Sequence, residues 1–420
     1  MSTSYKPDFI PQVPGSRSIA ARALICASLA SGKNIVSNAP SCDDTDAIFA
    51  CVRHLTADIH FDRNKAELSS WGSVQPSDVV LDCNASGTTM RFIAALSILT
   101  DSPLVLTGTA RLMERPMAGL NEVLAAVGKT VEDKNNKRVI SGTSNIPDEL
   151  VVDASTSGQF VSGLMMALGA AGKPTKLIAR NPVSIPFILM TVSVMRAYGA
   201  DIDVDSNDSE LVFAIGGTGY RRTEFFVEPD IMSASYFFAA AAMTGTSVFV
   251  PGISRDTIQG DIAFVYALEK MGATIEFIDG GIRVSRKPDK NLVGCTHDLS
   301  DMPDMSLTLA ALGAIVNGTT TLTSARILQF KESDRMSVIV NELSKLGAHI
   351  DVSADKDIVS ITPVLPLLPA AIDTYEDHRV AMAFGILSLV EPGIVINNPE
   401  CVTKTWPDFF QELDRFREFS

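Results

Sequence analysis

The chain repeats itself with a period of about seventy residues. The segments "SIAARALICASLASG" ending at Gly32, "GTTMRFIAALSILTD" at Asp101, "QFVSGLMMALGAAG" at Gly172, "SASYFFAAAAMTG" at Gly245, "MSLTLAALGAIVNG" at Gly318 and "RVAMAFGILSLVEPG" at Gly393 are alike. Each reads as an apolar helix of small residues, closed by glycine or a substitute as helix C-termini are. Each is followed by a short β-rich stretch: "KNIVSNA", "SPLVLTG", "KPTKLIA", "TSVFVPG", "TTTLTSA" and "IVINNP". The six end points lie 69 to 75 residues apart. A second, more amphipathic series ends at Gly128, Gly199, Gly272 and Gly347, at intervals of 71 to 75. Two interleaved series with one period specify six copies of a βαβαββ unit, an α/β fold of the mixed α+β kind.

The first helix of each unit is apolar nearly all round, which puts it inside its domain instead of on the surface. Six buried helices do not fit around one core, whereas two groups of three do. The break between groups falls near "FFVEPD", residues 225–230, giving one domain over 14–227 and a second after it. Polar residues then gather where the buried helices begin: Arg17, Ser18 and Arg22; Ser86, Gly87 and Thr88; Ser157, Gly158 and Gln159; Ser233 and Ser235; Asp304; His378 and Arg379. Helix N-termini offer unpaired N–H groups and about half a positive charge, so each group of three is expected to form an anion-collecting face, with the site between the two faces.

The net charge of −14 over 420 residues argues against a nucleic-acid or anionic-membrane surface. Local concentrations of arginine and lysine on such an acidic chain point instead to small anionic ligands. No apolar run approaches the roughly 20 residues that cross a bilayer. The start "MSTSYKPDFIPQV" has no basic stretch followed by an apolar one, and the six scattered cysteines form no metal-binding spacing. These features predict a cytoplasmic, metal-free protein with reduced thiols.

Four stretches hold the remaining informative charges: "RLMERPM" (111–117), "QFKESDRM" (329–336), "YEDHRVAM" (375–382) and "CVTKTWPDFF" (401–410). They contain Arg115, Lys331, Glu332, Arg335, Asp377, His378, Arg379 and Lys404. Lys331 and Arg335 are four apart, which places them on one helical face with Glu332 beside them at the helix start. Ser18 and Arg22 share a face by the same rule and can grip one carboxylate, while Arg17 precedes the helix.

The motifs "PGSRSIAARALICASLASG", "SGTTMR", "ERPM", "SGQF", "SASYFFAAAA", "QGDIAFVYALEKMGA", "KESDRM", "DHRVAM" and "TKTWPDFF" occur in the order seen in the 5-enolpyruvylshikimate-3-phosphate synthase family, and the resemblance covers essentially the whole chain. It implies the enolpyruvyl transferase fold, a two-domain inside-out α/β barrel of six repeats that closes on shikimate 3-phosphate and phosphoenolpyruvate. Residues 1–13 are then expected to join 228–420 in the second domain. The implied activity moves the enolpyruvyl group of phosphoenolpyruvate to the 5-hydroxyl of the acceptor and releases phosphate, with no metal or organic cofactor, in a monomer. Carried over by motif, Arg17, Ser18, Arg22, Ser157, Gln159 and Ser184 resemble acceptor-binding residues, joined by Asp304 and Lys331. Gly87, Arg115, Gln159, Arg335, Arg379 and Lys404 resemble the phosphoenolpyruvate site. Asp304, Glu332 and Lys331 resemble the groups that orient the hydroxyl and move protons.

The chain also departs from that family. Arg17 stands where a lysine is usual, Ala21 and Ala85 where asparagine is, Gly158 for serine, Phe187 for tyrosine and Ile327 for asparagine. Arginine for lysine is not conservative where a compact ammonium has to fit between two ligands. The acceptor side has lost polar groups while most of the phosphoenolpyruvate side is intact. A paralogue with another hydroxyl acceptor, or one that eliminates phosphate from a cyclitol phosphate, is the alternative, and a non-catalytic binding protein is a further one.

Overall fold

The computed structural model describes residues 7–207, 209–278 and 280–420. The chain divides into two compact units. One is continuous, Gly15–Val227; the other joins the stretch up to Pro14 with Glu228–Ser420.

Besides a single helical turn at Ala110–Met113, six longer helices alternate in the continuous unit: α1 (Arg17–Leu29), α2 (Asp43–Leu55), α3 (Gly87–Leu96), α4 (Ala118–Ala126), α5 (Gly158–Gly169) and α6 (Ile185–Ala197). The odd-numbered three are the apolar series. In α3 every residue but Thr88 is buried, and in α5 every residue but Gln159. Helices this thoroughly buried pack best through small side chains. Gly163 of α5 supplies one such contact: a Cβ there would stand 3.1 Å from Ala95 Cβ and from the Arg91 carbonyl of α3. Three four-stranded sheets surround them. In each, the first two strands run parallel and the last two form an antiparallel hairpin, as in Val80–Asp82, Leu104–Thr107, Lys137–Ser141 and Thr130–Lys134. The outer strand of the first sheet comes from the far end of the unit, where Glu224–Phe226 pairs in parallel with Ile35–Ser37.

The second unit contains α7 (Ile231–Thr244), α8 (Ala263–Met271), α9 (Ser306–Gly313), α10 (Arg335–Lys345), α11 (His378–Gly385) and α12 (Phe409–Phe419). Here α7, α9 and α11 are the apolar series, and every residue of α9 and α11 is buried. The expectation of six equal repeats needs refinement. The second, third and fifth carry four strands in chain order, and the first borrows its outer strand from Glu224–Phe226. The fourth has the three strands Val248–Pro251, Gly281–Ser285 and Thr274–Ile278, with Phe9 bridging Val248 in parallel in the outer place. The sixth has the two strands Ala371–Asp373 and Val395–Asn397 among the described residues. Phe9 is held firmly: its N–H donates to the Ser247 carbonyl at 2.8 Å, and its ring meets Phe416 edge-on at 5.1 Å. Its neighbour Asp8 pairs with Arg283 at 2.8 Å.

No helix among the described residues is long and apolar enough to cross a membrane. All six cysteines are free thiols, four of them buried. His297, in the strand Thr296–Asp298, is buried with no hydrogen-bond partner for Nε2. Burial, and then the charge of Lys270, hold its pKa down to about 4. The unfolded chain therefore takes up this proton first as pH falls, so the stabilisation is complete above about pH 6.5 and lost progressively toward pH 4. The expected result is an unfolding midpoint that drops across that window and a shallower drop in His297→Asn. An unchanged slope in the variant would assign the acid lability to other groups.

Candidate active-site clusters

In the continuous unit the buried helices begin with neutral caps. Ser16, Ser86 and Ser157 accept hydrogen bonds from the N–H groups of Ile19, Thr89 and Gln159. Hydroxyl caps satisfy one N–H each and leave the helix dipole uncompensated. Arg17 is the first residue of α1, one position later than the sequence suggests. Its guanidinium donates to Asp44 in the first turn of α2 at 2.6 Å, both side chains being largely buried.

Arg22, a turn and a half further on, is 2% exposed. Nε donates to Thr191 Oγ1 at 2.6 Å, Nη1 to the Ser18 carbonyl at 2.7 Å, and Nη2 to the Phe187 carbonyl at 3.0 Å and Ser162 Oγ at 3.3 Å. All of these partners are neutral, and among the described residues no carboxylate lies within ion-pair distance. Burial lowers the Arg22 pKa to about 9, against a small raising influence of Cys26. A buried cation with fixed geometry and no counter-ion is stabilised by an arriving carboxylate. Ser18 and Arg22 do share a face, and the contact they make runs through the Ser18 backbone.

A second cluster joins α3 to α5. Arg91 is 4% exposed. It donates to Gln159 Oε1 at 2.5 Å and to the Pro116 carbonyl at 3.2 Å, and lies over the Phe160 ring at 5.3 Å. Gln159 in turn donates to Thr88 Oγ1 at 2.9 Å. Arg115 packs directly on the start of α3: a Cβ added at Gly87 would be 2.5 Å from its Nη1. Its Nε is buried without a hydrogen-bond partner. Gly87, Gln159 and Arg115 are thus brought together, and Arg91 is a candidate the motif readings passed over. Its signature is the same as that of Arg22, one arginine inside an otherwise apolar helix.

The second unit is built differently. Asp230 caps α7, accepting from Ser233 N at 3.0 Å, and Gln259 accepts from Ile231 N at 3.0 Å. Asp377 caps α11, accepting from Arg379 N at 3.0 Å. These entrances already hold the protein's own carboxylates, so the expectation that helix ends alone collect anions fails here. Any further anion depends on lysine and arginine side chains.

Those side chains converge on Asp304, in a 3-10 turn (Pro303–Met305) just ahead of α9. Its Oδ1 receives Arg335 Nη1 at 2.9 Å and Lys331 Nζ at 3.1 Å, and its Oδ2 receives Arg379 Nη2 at 3.4 Å. Burial pushes this carboxyl up, but Lys331, Arg379 and Arg335 together hold it well below the usual carboxylate range. Arg335 is fully buried and also donates to Asp377 Oδ2 and Glu332 Oε2, each at 2.9 Å. Burial acts to lower the Arg335 pKa, and Asp377, Glu332 and Asp304 raise it beyond its ordinary value. It is the hub of this cluster, with its donors on protein carboxylates. Arg379 keeps its Nε buried without a hydrogen-bond partner.

Lys331 and Arg335 are not on one helical face. Helix α10 begins at Arg335 behind the cap Asp334, whose side chain accepts from Ser337 N, and Lys331–Ser333 lie outside it. What unites the two cations is Asp304, not helical periodicity. Lys404 ends a 3-10 stretch (Pro399–Lys404) and is half-buried. Ser184, half-buried at the start of α6, has a left-handed backbone with φ of 55°. Among the described residues no group of three or more His, Cys, Asp or Glu side chains is arranged to hold a metal.

This architecture is shared with solved enolpyruvyl transferases. An EPSP synthase from Acinetobacter baumannii superposes with a TM-score of 0.79 at 24% identity, over 98% of this chain and 95% of that one. The enolpyruvyl transferase NikO from Streptomyces tendae gives 0.74 at 18%, over 98% and 94%. The family model described as EPSP synthase (3-phosphoshikimate 1-carboxyvinyltransferase) matches residues 10–413. A curated 3-phosphoshikimate 1-carboxyvinyltransferase of Vibrio campbellii is 36% identical over 96% of this chain and 95% of its own length. Another, of a Sulfurovum species, is 35% identical over 97% and 96%. The chain belongs to the EPSP synthase family of enolpyruvyl (carboxyvinyl) transferases.

One departure from the family motif has a packing reason. A Cβ at Gly158 would stand 2.7 Å from the Val183 carbonyl and 3.1 Å from Ile188 Cγ1, so the 183–188 segment has closed over the start of α5. Gly158→Ser is expected to lower the thermal midpoint by several degrees, from an overpacking cost of about 1–3 kcal/mol. A midpoint equal to that of the parent would mean that the segment yields freely.

Proposed function

We propose that this chain transfers the enolpyruvyl group of phosphoenolpyruvate to the 5-hydroxyl of shikimate 3-phosphate and releases phosphate. The observation that carries the reading is the convergence of Lys331, Arg335 and Arg379 on Asp304 with Glu332 alongside, because it joins cationic charge to groups that can move protons. The acceptor hydroxyl has to lose a proton as its oxygen attacks C2 of phosphoenolpyruvate, an enol phosphate, and the methylene carbon has to gain one. The tetrahedral intermediate then expels phosphate as the C–O bond to phosphate breaks, and its methyl group gives back one proton so that the carbon–carbon double bond re-forms in the product. Asp304 and Lys331 are assigned to the hydroxyl and Glu332 to proton transfer, with guanidiniums stabilising phosphate and carboxylate throughout.

In this reading the acceptor carboxylate meets Ser18 and Arg22, its phosphate and ring meet Ser157, Gln159 and Ser184, and Arg17 lines the same side. Gly87, Arg115, Gln159, Arg335, Arg379 and Lys404 serve phosphoenolpyruvate. Arg335, with its donors on three carboxylates, then acts chiefly by aligning Asp304, Glu332 and Asp377. The substrates are small anions, and a cytoplasmic monomer is the setting the reading assumes.

A second reading, a different hydroxyl acceptor or elimination of phosphate from a cyclitol phosphate, draws support from Arg17 being tied to Asp44 and from the closure over Gly158. The deciding assay mixes phosphoenolpyruvate with shikimate 3-phosphate and follows phosphate release with mass spectrometry of the product. Turnover on the order of 10 per second with a carboxyvinyl mass gain supports the synthase reading. Phosphate release from the cyclitol phosphate alone, or no reaction, overturns it.

Two variant sets test the assignments. Arg22→Lys retains the charge but loses the fork that Thr191, Ser162 and Phe187 orient, so the acceptor KM is expected to rise at least about tenfold with the phosphoenolpyruvate KM unchanged. Arg379→Ala and Lys404→Ala each remove a charge-assisted contact of about 1.5–3 kcal/mol and are expected to raise the phosphoenolpyruvate KM by about ten- to hundredfold. Normal KM values in the latter pair would remove both residues from the phosphoenolpyruvate site.

A further inference from the structure

Ahead of α11 the chain makes a turn that its residues resist. Thr374 and Asp377 close it, the Asp377 N–H donating to the Thr374 carbonyl at 2.8 Å. The two central residues, Tyr375 and Glu376, both have positive φ, 54° and 55°. A turn with two left-handed centres favours Asn-Gly, and a bulky aromatic residue there is an outlier. The Glu376 side chain is exposed and does nothing visible to offset this.

The Tyr375 side chain supplies the compensation. Its hydroxyl donates to Glu342 Oε1 at 2.7 Å. Glu342 lies two turns along α10 from Arg335 and is fully buried. Its other oxygen, Oε2, receives Lys345 Nζ at 2.7 Å and Asp373 N at 3.0 Å. Both carboxylate oxygens are therefore occupied, and the acceptor for the phenol is fixed from three sides. The strained turn leads straight into Asp377, which binds Arg335 Nε and Ser333 Oγ at 2.9 Å each and caps Arg379. One helix thus carries the hub arginine at its start and the anchor of the neighbouring turn at its middle.

We propose that Tyr375 and Glu342 are positioning residues that hold the 374–377 turn in its left-handed form and thereby set the Asp377–Arg379 end of α11 for phosphoenolpyruvate. This rests on the assignment of Arg379 to that substrate. Strain of this kind persists only where surrounding contacts over-determine it, and it concentrates where a functional group has to be aimed. Without the phenol hydroxyl the turn relaxes toward ordinary φ values and Arg379 loses its fixed direction. The acceptor-binding residues of the continuous unit are untouched.

The test is Tyr375→Phe, which keeps the ring of a residue that is 45% exposed. The expected outcome is a phosphoenolpyruvate KM raised about tenfold, a shikimate 3-phosphate KM within about twofold of the parent, and the thermal midpoint little changed. Adding Glu376→Gly to this variant is expected to recover most of the loss, because glycine takes a φ near +55° without strain. A packing defect would not be recovered that way. Equal rises in both KM values, no rise in either, or no recovery in the double variant would overturn the proposal. Should the parent chain fail to turn over these substrates, the functional reading falls and the tether is still measurable. Amide hydrogen exchange at Arg379 and Val380 in the ligand-free protein is expected to be about tenfold faster in Tyr375→Phe, and an unchanged rate would overturn it.

Discussion

A helix buried on every side has only its ends through which to meet a polar ligand, and that constraint organises both units. Helices α3 and α5 have one residue apiece that is only half-buried, Thr88 and Gln159, each the second of its helix. The polar chemistry of the continuous unit thereby gathers at first turns and around single arginines, Arg22 held by neutral oxygens and Arg91 donating to Gln159 and the Pro116 carbonyl. A guanidinium in that position is costly to bury and easily stabilised by an anion, so the same burial that builds the core prepares the binding groups.

The two units meet that constraint with opposite electrostatics. Serine caps in the continuous unit leave three helix dipoles available, and Arg22 has only neutral partners. In the second unit Asp230 and Asp377 neutralise α7 and α11 internally. Its cations are accordingly held against Asp304, Glu332 and Asp377 in a network in which every charge fixes another. The first arrangement suits a group that binds and leaves by direct charge pairing. The second suits groups whose protonation has to be controlled, since the three cations facing Asp304 outweigh its burial and hold its carboxyl well below the usual range.

Much of this was legible in the residues. The six buried helices follow from runs such as "SASYFFAAAA" that have no polar face, and the split into two groups follows from their number. Local rules gave Ser18 and Arg22 a common face correctly. They mislead at Lys331 and Arg335, because the four-residue spacing runs across Asp334, a capping residue that starts a helix. That cap was itself a visible signal. The carboxylate caps were equally visible as Asp230 and Asp377, each one residue before its helix. What could not be read is the convergence on Asp304, which joins residues 27 to 75 positions apart through tertiary packing. The closure of the Val183 carbonyl over Gly158 was invisible for the same reason.

The outer-strand exchange also governs the order in which the protein can be completed during synthesis. The continuous unit includes its own closing strand, Glu224–Phe226, so it can be finished as soon as that segment leaves the ribosome. Phe9 cannot. Its partners Ser247, Val248 and Phe249 are made some 240 residues later. At about 5–20 residues per second the Asp8–Phe9 segment waits on the order of tens of seconds for its place. During that interval Asp8 and Phe9 are a tethered, unpaired β-segment with an apolar side chain. The sequence around them, "KPDFIPQVPG", carries three prolines that discourage it from pairing with anything else.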